Sequence, residues 1–391
     1  IGSPQAYGLA LGKAIFADAV LGKTYGETLA VCQGRGDGLR VRLLLEAEDL
    51  QGIPWERLHQ QLDGEWLPLG STAVTPFSRF VPPQQWARPQ PVVQRPLRIL
   101  LVIASPADLE RAKLDPILEP ERKKLRDLFT LLPDVSVTIL ESGTSAPPTL
   151  DEIRKSLAEG YHIVHFLCHG VKTNAGTALF LEKPGGMVDV VTTQRLVNAV
   201  KALQSPPVFC FLTACESAAR ARSDGFLPIG PALVEDGGVQ AVIAMTSRVG
   251  IELASQFTSQ FYTRLLKHGV LDLAVNEARA LVQDQWDWGV PVLFSRLVDN
   301  QLLDFPIGRI YDDFLIHNDR AFAAVDEAIA AARLEDHGQE LVTNLLELVD
   351  ELRKSHGALV TIASKFRRTG QDPQSFSKDF QDFYYLFKEY Y

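Results

Sequence analysis

The sequence predicts an α/β domain with a mainly parallel six-stranded sheet and helices on both faces, flanked by an N-terminal mixed subdomain and a C-terminal helical module. Continuous apolar runs alternate with amphipathic stretches between residues 97 and 297, which is typical of strands buried on both faces of a parallel sheet. Beyond about residue 316 the chain has almost no β-branched runs and places apolar residues at helical spacing.

Six strands and the helices between them follow in order along the chain. The strands are predicted at "LRILLVIA" (97–104), "VSVTIL" (135–140), "HIVHFLC" (162–168), "PVFCFLTAC" (207–215), "VQAVIAMT" (239–246) and "PVLFSRL" (291–297). Helices are predicted over 119–132, 149–160, 192–203, 228–238, 251–267 and 271–284. Thr149 is a favourable cap for the second of these helices, and Gly160 ends it. This alternation builds a single α/β domain.

Composition places a boundary on each side of this domain. Residues 1–92 are predicted to form the N-terminal mixed α/β subdomain, which ends in the proline-rich, extended stretch "PPQQWARPQPVVQRP" (82–96). The α/β domain is predicted over 93–308 and the helical accessory module over 316–391. In that module one helix face is marked by Leu341, Leu345, Leu348, Leu352 and Leu359.

Charge and cysteine content exclude several classes of protein. The formal charge of −9 argues against direct nucleic-acid binding, because phosphate binding needs a basic face. No apolar run approaches the roughly 18 residues that a membrane helix needs, and the first residues do not resemble a signal peptide. Four cysteines without framework spacing indicate free thiols in a reducing compartment. We therefore expect a cytoplasmic protein.

Two reactive residues stand at the predicted carboxyl ends of strands, where functional groups of open α/β sheets gather. His169 follows "HIVHFLC", and Cys215 ends "VFCFLTAC". A thiol nucleophile needs a base nearby, and the single helix between these strands suits parallel neighbours. His169 lies 46 residues before Cys215, close to the separation of about 50 residues in caspases. Gly170 and Cys215 can offer backbone N–H groups as an oxyanion hole.

The remaining histidines and cysteines of this region fit structural roles. His162 and His165 lie three apart in a strand, and Cys168 and Cys210 suit a small apolar core position. Zinc needs three or four convergent ligands, usually in Cys-x-x-Cys or His-x-x-x-His spacing, and neither occurs, so no metal or other cofactor is expected. No glycine-rich phosphate loop follows the first strand, which argues against a nucleotide-binding protein.

The motif blocks "HFLCHG" and "LTACES" resemble those of CHAT-type caspase-like peptidases, relatives of caspases, separase and the gingipains. The resemblance covers roughly residues 8–308 and includes "TPFSRF", "PLRILLVIASPADL", "GVQAVIAM" and "PVLFSRL" in the order of that family. It implies a caspase-like endopeptidase in which His169 is the general acid/base, Cys215 forms a thioester with a protein substrate and Gly170 donates to the oxyanion. It also implies a setting in bacterial signalling or antiviral defence. An inactive caspase-like scaffold that only binds partners stays open as the alternative.

The polar loop "ESAARARSDGFLP" (216–228) follows Cys215, where caspase-like enzymes build their specificity pocket. We expect Asp224, and secondarily Glu216, to line this substrate pocket and to favour Arg or Lys at P1, because a buried carboxylate requires a cationic partner. An ordinary solvated loop is the alternative. Arg220 and Arg222 suggest self-cleavage within the loop. This chain has Thr-Ala-Cys-Glu-Ser in place of the caspase pentapeptide, so the caspase preference for aspartate is not carried over.

The chain ends in "SFSKDFQDFYYLFKEYY", in which aromatic residues recur at helical spacing. If the segment is helical, one stripe comprises Phe376, Phe380, Phe383 and Phe387. The stripe either packs on the helix that carries Leu341 to Leu359 or provides a docking surface for a regulatory partner or a second copy of the chain.

Overall fold

The structure is a computed structural model that describes most of the chain up to residue 304 and short parts of the remainder. The described residues are 3–35, 37–62, 64–82, 91–92, 96–112, 114–173, 176–213, 228–247, 249–304 and parts of 325–354. Two compact units are distinguished, Ile1–Leu265 with Val270–Leu302, and Leu266–Gly269 with Leu303–Tyr391. In the second unit, residues 325–331 and 342–347 are helical, and the terminal aromatic stripe lies outside the described residues. The predicted boundaries at residues 92 and 308 stay predictions.

The elements of the described chain are numbered in order of sequence. The helices are α1 (Pro4–Phe16), α2 (Ala19–Gly34), α3 (Glu48–Gln51), α4 (Glu119–Leu131), α5 (Leu150–Ala158), α6 (Thr193–Lys201), α7 (Ile229–Glu235), α8 (Ile251–His268) and α9 (Leu271–Ala280). The strands are β1 (Val41–Leu44), β2 (His59–Leu62), β3 (Glu65–Pro68), β4 (Phe77–Phe80), β5 (Leu97–Ile103), β6 (Val135–Glu141), β7 (Ile163–Leu167), β8 (Gly170–Thr173), β9 (Gly176–Lys183), β10 (Met187–Thr192), β11 (Phe209–Thr213), β12 (Ala241–Met245) and β13 (Pro291–Ser295).

The central sheet has the strand order β1-β4-β13-β12-β11-β7-β5-β6. Only the β12–β13 pair is antiparallel among these neighbours, so the sheet is mainly parallel. The six predicted strands are the adjacent members from β13 to β6, which confirms the fold class. Two short strands of the N-terminal segment, β1 and β4, extend this sheet from the six predicted strands to eight. Within the described residues, none of the helices combines the length and the apolar character that crossing a bilayer requires.

The core consists of two layers of side chains, one on each face of the sheet. On one face Phe211 of β11 packs against Phe257 and Phe261 of α8. Side chains alternate along a strand, and the alternate residues Cys210 and Leu212 are also fully buried, so the opposite face is covered as well. There α5, α6 and α7 pack side by side, and α7 contacts β12 and β13. Burial on both faces explains why these strands are continuous apolar runs.

The N-terminal segment is joined to the sheet through a buried ion pair. Arg79 of β4 forms two hydrogen bonds with the carboxylate of Glu56, at 2.9 and 2.8 Å, and both side chains are almost fully buried. The same guanidinium donates to the backbone carbonyl of Gln51 at 2.7 Å. Because a bidentate pair with further backbone bonds compensates the desolvation of both charges, this pair fixes the segment before β4.

A second sheet, β10-β9-β8, follows β7 directly and was absent from the sequence prediction. It is antiparallel, and the turn between β9 and β10 contains Gly185 and Gly186 at positive φ.

The observed helices lie closer to their predicted positions than the strands of this second sheet do. α5 begins after Thr149, whose hydroxyl accepts from the N–H of Glu152 at 3.2 Å, and Gly160 follows it at φ +87°. The last predicted helix is shorter than expected and ends at Ala280.

Candidate active site

The register of β7 and β11 aligns the two strand ends that precede the motif residues. Leu167 lies opposite Thr213, and the N–H of Cys168 donates to the carbonyl of Thr213 at 3.3 Å. His169 is two positions after Leu167, and Cys215 is two positions after Thr213 in the sequence. Cys215, together with Glu216 and Asp224, lies outside the described residues, so their roles stay predictions.

The His169 imidazole is held in one orientation by a backbone carbonyl. Its Nε2 lies 3.0 Å from the carbonyl oxygen of Asp115, and the side chain is almost fully buried. A carbonyl oxygen can only accept, so Nε2 carries the proton of the neutral imidazole and Nδ1 is the nitrogen with the basic lone pair. A base whose far nitrogen is fixed by a third group has the arrangement that nucleophilic catalysis requires.

The segment that presents the Asp115 carbonyl is itself fixed by hydrogen bonds. The Ser105 hydroxyl accepts from the N–H of Ile117 at 3.0 Å, and the Ser105 N–H donates to the hydroxyl of Ser142 at 2.8 Å. The carbonyl thus lies between β5 and α4 in a connection with defined geometry. Asp115 could not be predicted from the sequence, because any residue type can supply a backbone carbonyl.

A small apolar cluster supports His169 from the side of the second sheet. Leu109 and Leu114 pack against Phe180 of β9. The N–H of Phe180 donates to the backbone carbonyl of His169 at 2.9 Å. Gly170 is buried and opens β8 opposite Leu179. The unpredicted sheet therefore anchors the residue that follows β7, while the oxyanion role of Gly170 stays a prediction.

Beneath the strand ends, His165 connects β7, β11 and α8. Its Nδ1 lies 3.1 Å from the Tyr262 hydroxyl, and its Nε2 lies 3.1 Å from the Thr213 hydroxyl. A neutral imidazole satisfies both contacts, since it donates from one nitrogen and accepts at the other. Complete burial lowers the pKa of His165 from 6.5 to about 3, which keeps the ring neutral. This histidine is a core residue, in agreement with its structural interpretation.

Two of the described cysteines are buried, which does not suit a catalytic nucleophile. Cys168 and Cys210 are buried, and burial raises the pKa of the Cys210 thiol, with a smaller contribution from Cys168. A buried thiol of raised pKa is neutral and unreactive. Cys32 is half-buried in α2. Among the residues that the structure describes, no group of three or more His, Cys, Asp or Glu side chains is placed to hold a metal ion.

Comparisons with known proteins relate this geometry to one domain family. The family model of the CHAT domain matches residues 5–306. Separase of Saccharomyces cerevisiae, in its complex with securin, is similar in structure with a TM-score of 0.37 and 14% identity, over 63% of this chain and 15% of that chain. The Drosophila initiator caspase Dronc has a TM-score of 0.27 and 10% identity, over 57% of this chain and 100% of that chain. No curated protein matches the sequence. The chain spans about a seventh of the separase chain, and the likeness concerns the fold alone.

Proposed function

The chain belongs to the CHAT domain family, and from that membership we propose that it is a cysteine endopeptidase with His169 as general base and Cys215 as nucleophile. The main support is the register of β7 and β11, in which Leu167 lies opposite Thr213. His169 and Cys215 each follow two positions after these paired residues in the sequence, and α/β proteins carry their functional groups just past the carboxyl ends of such strands.

In the proposed reaction, His169 Nδ1 takes the proton of the Cys215 thiol and the thiolate attacks the carbonyl carbon of the scissile peptide bond. The bond from Asp115 O to Nε2 keeps Nδ1 as the accepting nitrogen. The N–H groups of Gly170 and Cys215 stabilise the oxyanion of the tetrahedral intermediate. The protonated imidazole then donates its proton to the leaving amine, which leaves a thioester on Cys215. Water hydrolyses this thioester, with His169 again as the base.

Four further features belong to the same proposal. Asp224 and Glu216 line the P1 pocket and favour a basic residue, and Arg220 and Arg222 are the sites of self-cleavage. Residues 316–391 bind a regulatory partner or a second copy of the chain. The protein acts in the cytoplasm in bacterial signalling or antiviral defence. These features rest on the residue pattern and on the resemblance to the family.

Thiol reactivity separates an active peptidase from an inactive caspase-like scaffold. We expect iodoacetamide to alkylate Cys215 much faster than Cys32, with Cys168 and Cys210 protected by burial. Mass spectrometry of tryptic peptides over a time course measures the four rates in one sample. The variant His169→Ala should slow alkylation of Cys215 toward the rate of Cys32. Equal rates for Cys215 and Cys32 in the unmodified chain would favour the scaffold.

A further inference from the structure

Beside the carboxyl ends of β7 and β11, helix α4 carries a buried carboxylate without a partner. Glu121 exposes only 6% of its surface, and neither of its carboxylate oxygens has a hydrogen-bond partner. Burial raises the pKa of this carboxyl group. Lys124, one turn further along α4, is engaged by Glu252 at 2.9 Å. A buried charge without a partner destabilises the folded state. A cationic group of a bound ligand would compensate the Glu121 carboxylate.

Helix capping does not account for this carboxylate. Glu121 lies in the first turn of α4, where a glutamate commonly accepts from the backbone N–H of the cap residue. That hydrogen bond is absent, since both oxygens are unpartnered. The other acid of the same turn, Glu119, differs in being exposed and paired with Arg122 and Arg126. Both residues therefore lie in the first turn of α4, and of the two only Glu121 is buried without a partner.

Glu121 faces a small cavity between α4, α8 and the end of the sheet. The cavity holds about 30 Å³, room for roughly two water molecules or one ammonium group. Hydroxyl groups of Ser255 and Thr258 supply further hydrogen-bond acceptors, and Leu125, Leu167, Ile251 and Ala254 form an apolar wall. Thr213 and Lys124 also line the cavity, but the hydroxyl of Thr213 contacts His165 and the ammonium group of Lys124 is paired with Glu252. An acidic end with hydroxyls and an apolar wall matches a side chain that has a methylene stem and a charged tip.

The cavity lies at the carboxyl ends of the two strands that precede the proposed catalytic residues in the sequence. Leu167 and Thr213 both line it, and each precedes a proposed catalytic residue by two positions. A substrate side chain that enters the cavity would leave its backbone near the carboxyl ends of β7 and β11. A metal ion does not fit this donor set, since Glu121 is the only residue of the lining that is a His, Cys, Asp or Glu.

We propose that this cavity is a subsite for a basic side chain, lysine or arginine, of the peptide substrate, with the Glu121 carboxylate as its charge partner. The proposal rests on the proposed peptidase function and assigns a specificity residue on α4, separate from the loop that contains Asp224. The substrate ammonium or guanidinium group donates to Glu121 and to the hydroxyls of the lining. Its methylene stem lies along the apolar wall beside Leu167.

The test compares Glu121→Gln with the matched variant Glu119→Gln in the full chain. Cleavage is measured with peptide libraries in which one position is fixed as lysine, arginine or the neutral isostere norleucine. Glu121→Gln should lower kcat/KM for the basic libraries by at least about 30-fold, as expected when one partner of a buried charge pair is removed, and leave norleucine cleavage unchanged. Glu119→Gln should change neither. The melting temperature of Glu121→Gln should equal or exceed that of the unmodified chain, whereas a structural role predicts a lower one.

A binding measurement separates failure of this subsite from failure of the peptidase function. Fluorescence anisotropy of the lysine and norleucine libraries is measured on the full chain with Cys215→Ala, alone and combined with Glu121→Gln. A preference for lysine of about 10-fold or more that disappears with Glu121→Gln supports the subsite even if no peptide is cleaved. If no peptide is cleaved and Cys215 is unreactive, the peptidase function is refuted but the subsite is not. Equal affinity for both libraries, or a lysine preference that persists in Glu121→Gln, overturns the subsite.

Discussion

Acidification should destabilise the protein through His165, at the centre of the core. The ring is fully buried between Tyr262 and Thr213, and its pKa is about 3 against 6.5 for an exposed histidine. Between these pH values the unfolded chain binds a proton at His165 that the folded chain excludes. The free energy of unfolding therefore falls as the pH decreases from 6.5 toward 3.

The size of this effect follows from the shift in pKa. One proton bound only by the unfolded state changes the free energy of unfolding by about 1.4 kcal/mol per pH unit. Between pH 6.5 and pH 5, His165 alone should cost about 2 kcal/mol, a large fraction of the usual 5–15 kcal/mol stability of a domain. Above pH 6.5 its contribution to the pH dependence vanishes.

Urea unfolding followed by tryptophan fluorescence at pH 7, 6 and 5 measures this slope. The variant His165→Gln keeps a neutral hydrogen-bonding side chain and should flatten the slope by about 1.4 kcal/mol per pH unit below pH 6.5. Tyr262→Phe is the control. It removes one hydrogen bond and lowers stability, but it leaves the ring buried and the slope intact. Identical slopes for His165→Gln and the unmodified chain would refute the assignment of a neutral, buried imidazole.

Three other perturbations test the fold and the site. Glu56→Gln leaves Arg79 buried without its counter-ion, so the free energy of unfolding should drop by about 3–5 kcal/mol. A change in melting temperature too small for such a loss would contradict the role of the pair. Ser105→Ala removes the hydroxyl that accepts from the N–H of Ile117 and so loosens the segment that presents the Asp115 carbonyl. We expect kcat to fall about 10-fold at unchanged KM, whereas a change in KM alone would count against a positioning role. Deletion of residues 316–391 should raise basal cleavage or abolish the response to an activator, and a truncated chain that behaves like the full one would remove the regulatory role.

The strands around the site could be predicted because burial on both faces leaves a continuous apolar run. β7 and β11 are of this kind, and each run ends where a polar motif residue follows. The alternation in "LRVRLLLE" predicts β1, whereas β4 has only four residues, too few for a distinct period. The antiparallel strands β8, β9 and β10 are absent from the prediction because their pairing depends on tertiary contacts.

Parts of the candidate site could not be predicted for a different physical reason. The Asp115 carbonyl orients His169 through backbone alone, and any residue type would supply it. Glu121 lies in "EPERKKLRDLF", a charged amphipathic stretch in which a glutamate is expected on the solvent face. Its burial results from packing between α4 and α8, and the local sequence pattern does not show contacts between helices. His169 was found because its place at a strand end and its Gly170 neighbour are both visible in the sequence.

The central claim is that His169 and Cys215 act as one catalytic unit, and a double-mutant comparison of kcat/KM tests it most directly. On a peptide cleaved by the unmodified chain, Cys215→Ala and His169→Ala should each lower kcat/KM by about 10⁴-fold or more, and the double variant should be hardly worse than either. Cys168→Ala should keep most of the activity, because the Cys168 thiol is buried. Persistent cleavage by Cys215→Ala, together with loss of activity in Cys168→Ala, would contradict the account.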